Sequence, residues 1–249
     1  MPVRRYAALL VAATAVVAVA PPSHAQTAGD GFLFRHPVGS FGIRGGFDRA
    51  FAGSDIFSFV TKQLTLNRSD FSSVTFGSNV AVRVSDATDL VIDVSLANVS
   101  HLSEFRDWID NNNNPIQQTT ALFRMPVTLG VRHYLTTRGR SIGRFAFIPA
   151  PRTFYIGGGA GMMRYTFRQY GDFIDFQTLN VFPDAFRTSG WTPTLHALVG
   201  MDIGLGHALL VTTEARYTWA KGPMGDDYVG FHAIDLSGIS ASAGLALRL

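Results

Sequence analysis

The segment Leu209–Trp219, L-L-V-T-T-E-A-R-Y-T-W, leaves few folds open. One parity carries Leu209, Val211, Thr213, Ala215, Tyr217 and Trp219; the other carries Leu210, Thr212, Glu214, Arg216 and Thr218. Alternation with period two is a β-strand with two unlike faces. Its apolar face ends in two aromatics, while its polar face holds two full charges near mid-strand. In a soluble sheet the apolar face would cover a core. In a barrel crossing a membrane it would meet lipid, with the aromatics at the headgroups and the charges in the lumen.

The same alternation recurs along the chain. Phe41, Ile43 and Phe47 oppose Ser40, Gly42, Arg44 and Gly46 in Val38–Phe47, and Phe76, Val80, Val82 and Val84 oppose Thr75, Asn79, Ala81 and Arg83 in Val74–Val84. Further strands are expected at Leu90–Leu96, Phe123–Leu135, Phe154–Phe167, Trp191–Leu205 and Ile239–Leu249, which makes eight with the opening segment. Long connections follow the first, third, fifth and seventh strands: Arg49–Asp70, Ser100–Thr119, Arg168–Gly190 and Lys221–Ala233. Shorter ones follow the second, fourth and sixth, although Thr136–Arg152 is long for a turn and could hold a small strand near Phe145–Ile148. Long outside and short inside is the habit of bacterial outer-membrane barrels. Ile56, Phe57, Val60 and Leu64 share one face of a short helix after Ser54-Asp55, expected to fold over the barrel rim rather than lie at the membrane interface. Asn111–Asn114 reads as a solvated loop tip, not a cation site.

The N-terminus has a basic start (Met1–Arg5), an apolar run (Tyr6–Ala20) and small residues at Ser23-His24-Ala25. That is a secretory signal with cleavage before Gln26, and the run is shorter than the ~20 residues a spanning helix needs. The expected organisation is a signal peptide over 1–25, a periplasmic leader over 26–37 and a barrel over 38–249. Loss of Arg4 and Arg5 lowers Lys+Arg from 21 to 19 against 18 Asp+Glu, so the mature chain is near neutral and carries no basic patch suited to nucleic acid. There is no cysteine, and the seven histidines are scattered, so neither a metal site nor another cofactor is expected. Gly157–Gly159 lacks the lysine and the following helix of a phosphate loop. Glycines in a strand instead permit bending and close backbone approach.

If the polar parity faces inward, the lumen collects Arg44, Arg83, Asp93, Arg124, Arg132, Arg164, His196, Asp202, Glu214, Arg216 and Arg248. Arg44, Asp93, Arg132, Asp202 and Glu214 fall at similar heights, with Arg216 just above and Arg83 within cross-strand reach of Asp93. Charges enclosed in a narrow barrel need partners, so an ion-paired layer is expected rather than a hydrated lumen. The outward aromatic girdles are expected to use Tyr155, Tyr165, Phe167, Trp191, Tyr217 and Trp219. Tyr155 and Tyr165 share a parity and would lie ~25 Å apart along the membrane normal.

Three stretches, Y-I-G-G-G-A-G-M-M-R-Y, T-T-E-A-R-Y and the terminal D-L-S-G-I-S-A-S-A-G-L-A-L-R-L, together with the signal peptide and the eight strands, resemble the small outer-membrane β-barrel family of the outer membrane protein A transmembrane-domain type. The resemblance implies an eight-stranded antiparallel up-and-down transmembrane β-barrel, monomeric, in contact with outer-membrane lipid and lipopolysaccharide. It also implies delivery to the barrel-insertion machinery through the last strand, with Leu249 where the family typically has Phe. No peptidoglycan-binding domain follows, so tethering is not implied. The expected role is a structural, surface-loop scaffold with a plugged or very narrow lumen and no catalysis. The alternatives are a narrow pore, a soluble lipocalin-like barrel with the apolar parity inside, or a lipid-modifying enzyme. For an enzyme, His232, Asp235 and Ser237 are the candidates, yet His232 and Ser237 lie on opposite parities.

The loop pattern generates a topological prediction. Cysteines introduced at Gln63, Asn112, Phe176 or Met224 should react with an impermeant thiol reagent on intact cells, whereas cysteines at Ala87 or His207 should not. Labelling at 87 without labelling at 112 would mean the reverse orientation.

Overall fold

The structure, a computed structural model, describes residues 33–34, 36–143 and 146–249. The expected signal peptide and most of the expected leader lie outside these residues. Among the described residues, eight long strands form one antiparallel meander: β1 (Gly39–Ala50), β2 (Ser73–Arg83), β3 (Thr88–Ile109), β4 (Pro115–Tyr134), β5 (Arg152–Ile174), β6 (Val181–Gly204), β7 (Leu209–Gly222) and β8 (Gly238–Arg248). Each pairs with the next, and β8 pairs back onto β1 from Ser40↔Arg248 to Ala50↔Gly238, so the sheet closes into a ring. The fold is the expected eight-stranded up-and-down β-barrel.

The two parities separate cleanly. Outward-facing Val82, Leu129 and Val199 are 54%, 52% and 56% exposed, and with Ile43, Phe76, Ile92 and Leu245 they form an apolar belt on the outer surface. Inward neighbours such as Thr128, Asp202 and Glu214 are buried. On β7 the outward run from Leu209 to Trp219 spans ten steps at ~3.3 Å, which at a tilt near 40° is ~25 Å of height, the thickness such a belt needs.

β5 departs from expectation. Tyr155, Tyr165 and Phe167, read as outward girdle residues, point into the barrel and are at most 1% exposed. The neighbouring strands leave room for them. A Cβ at Gly200, which faces Tyr155 across the ladder, would lie 2.3 Å from that ring, and one at Gly222 would lie 2.6 Å from the Tyr165 ring. The opposite parity of β5 offers Phe154, Ile156, Ala160 and Met162 to the outside. Both faces of this strand are apolar, so hydropathy alone did not fix its facing. Arg164, expected in the lumen, therefore faces outward and pairs in register with Trp191. Trp191, Tyr217 and Trp219 are exposed on the outer surface.

Two segments read as loops are strand. Most of Ser100–Thr119 and of Arg168–Gly190 extends the β3–β4 and β5–β6 hairpins beyond the belt. The first ends in a tight turn where the Asp110 carboxylate accepts the backbone N–H groups of Asn112 (2.8 Å) and Asn114 (2.7 Å), while Asn113 takes φ 64°. Asparagine tolerates that left-handed conformation, which accounts for the Asn run. The helix α1 (Asp55–Gln63) does fold over the rim. Its Ile56, Phe57 and Val60 are buried with Phe71, Phe105, Ile116, Tyr165, Phe167 and Leu236 in an apolar cap at that end of the barrel. At the opposite end a small hairpin, Gly139–Ile142 with Ala146–Pro149, occupies the long fourth connection, and Leu33 bridges to its Phe147.

Two neighbouring positions test the facing. Val199→Arg should cost ~2–4 kcal/mol near the middle of the belt, and Gly200→Ala should cost ~1–3 kcal/mol by colliding with Tyr155. Both are read by urea titration of folding into lipid vesicles. Equal tolerance of arginine at 199 and at inward Thr128 would contradict the assignment.

Candidate functional site: the charged lumen

The side chains enclosed between the apolar cap and the opposite end form a connected set. Asp93 on β3 accepts a bidentate pair from Arg44 on β1, at 2.6 and 2.8 Å, and a further bond from Arg216 Nη1 on β7 at 2.8 Å. Strands β3 and β7 are four apart in a ring of eight, so the Asp93–Arg216 bond spans the lumen. Arg216 also holds Glu214 at 2.8 Å, and Glu214 lies 3.7 Å from Arg132 on β4. The Arg132 guanidinium in turn sits 4.3 Å over the Tyr155 ring. The alternation that makes these strands amphipathic thus brings five charges from four strands to one level. Arginine suits this task because its planar fork joins two carboxylates at once.

Toward the cap, Arg124 pairs with Asp48 and donates to the Leu236 carbonyl at 3.1 Å. Toward the other end, the Tyr134 hydroxyl donates to Asp202 at 3.1 Å, and Tyr155 and Thr212 share a 3.1 Å hydroxyl bond. Arg138, arriving from the connection after β4, pairs with fully buried Asp89 at 2.6 Å and stacks on Tyr134 at 4.2 Å. Small cavities interrupt the packing, one of about 30 Å³ at the far end among Tyr134, Arg138, Asp202 and Arg248 and two near the charged layer. Of these two, one, of about 30 Å³, lies among Arg44, Asp48, Arg124 and Arg216; the other, of about 10 Å³, lies beside Asp93, Arg132 and His196. Each has room on the scale of single waters. The Nε of Arg132 and the Nδ1 of His196 have no partner among the described residues.

Of the expected lumen residues, Arg44, Asp93, Arg132, Glu214 and Arg216 meet in one network. Arg124, His196 and Asp202 also face the lumen, but Asp202 bonds to Tyr134 rather than to an arginine. Arg83 does not reach Asp93. The register sets Asn79 opposite Asp93, so Arg83 lies four residues further along β2, opposite Asp89, and pairs with Asp86 in the adjoining turn at 2.6 Å. Arg248 closes the same end by donating to the carbonyls of Gly206 (3.3 Å) and His207 (3.1 Å). Arg164 is outside the barrel, as described above.

Asp48, Asp89, Tyr134 and Arg138 were missed as partners. Asp48 extends the polar parity of β1 one step past the expected strand end, and Asp89 does the same at the start of β3, so the parity rule carried further would have found both. Arg138 sits in a connection, where no periodicity reports facing.

The three enzyme candidates do not converge. His232 Nδ1 lies 2.8 Å from Asp55, whose carboxyl is held below its ordinary range chiefly by the His232 backbone N–H. Ser237 donates instead to the Ala220 carbonyl at 3.2 Å. Asp235 accepts the N–H groups of Gly53 and Ser237, each at 3.0 Å, and so acts as a loop brace.

No protein-family model matches the chain, and no curated protein matches it. Among solved structures it is similar to Neisserial surface protein A, at 11% identity and TM-score 0.45, covering 88% of this chain and 98% of that one. It is also similar to the attachment invasion locus protein Ail of Yersinia pestis (11% identity, TM-score 0.43, 84% and 97% covered). A third is the N-terminal β-barrel domain of Pseudomonas aeruginosa OprF (11% identity, TM-score 0.34, 85% and 99% covered).

Asp93 is the shared acceptor of two arginines, so its removal strands both. Asp93→Ala should destabilise the barrel by ~3–5 kcal/mol, the range for breaking a buried pair from one side. Arg83→Ala removes one side of a turn pair whose partner Asp86 is fully exposed and stays hydrated, and should cost about 1 kcal/mol. Urea midpoints of the two variants in detergent micelles check the contrast, and equal losses would contradict it.

Proposed function

We propose that the protein is an integral outer-membrane barrel that acts as a non-catalytic scaffold for its surface hairpins, with the lumen closed by its own ion-paired layer. The observation that carries this reading is the Asp93–Arg216 bond across the ring, continued through Glu214 to Arg132. An eight-stranded interior is just wide enough for side chains to fill, and here fixed charge pairs occupy its middle while α1 and the apolar cap cover one end. The apolar outer belt argues for lipid rather than water around the barrel, since a soluble barrel would place that parity inside. Secretion by the signal peptide over 1–25, a periplasmic leader over 26–37, insertion read from β8 and a monomeric state complete the proposal.

Planar-bilayer recording tests closure. Wild type should show no steady conductance, and Glu214→Ala should open a leak by freeing Arg132 and Arg216. A steady open pore in the wild type, unchanged in the variant, would refute the closed lumen. A soluble periplasmic protein whose gel migration does not change on boiling would refute the membrane reading itself.

A further inference from the structure

The outward face of β5 and β6, just beyond the apolar belt, carries a ladder the lumen does not use. Three registered pairs follow one another on this face: Arg164↔Trp191, Thr166↔Ser189 and Arg168↔Arg187. Parity puts all six side chains outside, because Met163, Tyr165, Phe167, Thr188 and Thr192 between them are buried. The strand below Arg164 presents Phe154, Ile156, Ala160 and Met162 outward, so Arg164 and half-exposed Trp191 mark the border of the belt. The arginine rung lies four residues further along β5, ~13 Å by strand rise.

Two arginines directly opposite each other on an antiparallel pair repel and cost stability. Among the described residues no ion pair offsets this: none involves Arg168, Arg187 or Arg164. Arg168 lies over the Tyr170 ring at 4.4 Å, and Asp227 accepts the Arg187 backbone N–H at 2.8 Å, which leaves both guanidinium groups for another partner. On the flanking strand, Ala121, Phe123 and Met125 sit in register with Arg168, Thr166 and Arg164 and form an apolar stripe that descends beside the ladder.

We propose that this ladder is a binding site for a phosphorylated glycolipid of the surrounding leaflet. The arginine rung and Arg164 take phosphates at two levels, the Thr166–Ser189 hydroxyl rung takes the sugar between them, and the Phe123–Met125 stripe takes an acyl chain. Two basic levels with hydroxyls between suit a sugar phosphorylated at both ends better than a single phosphodiester headgroup. Arginine binds each phosphate through two parallel N–H bonds. The inference rests on the membrane reading above.

The test uses the mature chain in nanodiscs of phosphatidylcholine doped with bisphosphorylated lipid A, its dephosphorylated form or phosphatidylglycerol, with bound lipid counted by native mass spectrometry. Wild type should retain the bisphosphorylated form about tenfold or more over the other two. The Arg168→Gln/Arg187→Gln double variant should lose about ten- to thirtyfold of that retention, on the scale of one surface cation per tenfold or less. Arg49→Gln, on the outward parity of β1, should retain as wild type does. Equal retention of phosphatidylglycerol, an unaffected double variant, or full displacement by millimolar inorganic phosphate would each overturn the glycolipid site alone. Failure of the chain to enter discs at all would overturn the membrane reading, and the site with it.

Discussion

In hydrocarbon every backbone N–H and C=O must find a partner within the protein, because no water is available to take one. A meander of eight strands meets that demand only if its first and last strands pair, and the eleven-position register between β1 and β8 does so. Closure has a consequence for the interior. An eight-stranded ring is just wide enough for side chains to fill, so most of the charge that the inward parity carries is met by other groups of the protein. That is why Asp93 is central: it holds Arg44 and Arg216 from different sides of the ring and gives two cations one shared counter-charge.

The lumen is then divided by chemistry along its axis. At the cap end α1 and its neighbours pack an apolar cluster beside the buried polar side chains of Gln118, Thr120, Gln169 and Thr188. The middle holds the charged layer, and the far end uses Tyr134, Tyr155 and Asp202 with Arg138 reaching in to Asp89. Bulky tyrosines fit inside so narrow a ring because their neighbours across the ladder are glycines. Gly200 accommodates Tyr155, while Gly190 and Gly222 flank Tyr165. The inside is therefore packed by pairs of large and missing side chains as well as held by charge.

Much of this was legible in the sequence, and the exceptions share a cause. Seven strands alternate between a lipid-compatible face and a polar face, so parity assigned Arg44, Asp93, Arg132, Glu214 and Arg216 to one lumen. β5 has two apolar faces, and there the single charge of Arg164 misled the assignment, placing Tyr155, Tyr165 and Phe167 outside. The glycine opposite each tyrosine was the available signal, because a missing side chain on the inner parity of one strand asks for a large one on the next. Beyond the belt the alternation weakens, as neither face meets lipid, so the extensions of β3 to Ile109 and of β5 to Ile174 looked like loops. Arg138 lies in a connection, where contacts depend on the folded path of the chain rather than on any period.

The central claim is that one parity faces lipid and the other a closed, charged interior. A nitroxide scan over Leu209–Trp219, possible because the native chain has no cysteine, measures this most directly in reconstituted bilayers. Collision rates with oxygen, which partitions into lipid, should peak at Val211, Thr213, Ala215 and Tyr217 and fall to a minimum at Thr212, Glu214 and Arg216. Low rates for a water-soluble nickel reagent at both parities should accompany them in the middle of the strand. An oxygen profile without period two, one reversed in phase, or ready access of the nickel reagent to inward position 212, where the charged layer is left intact, would contradict the claim.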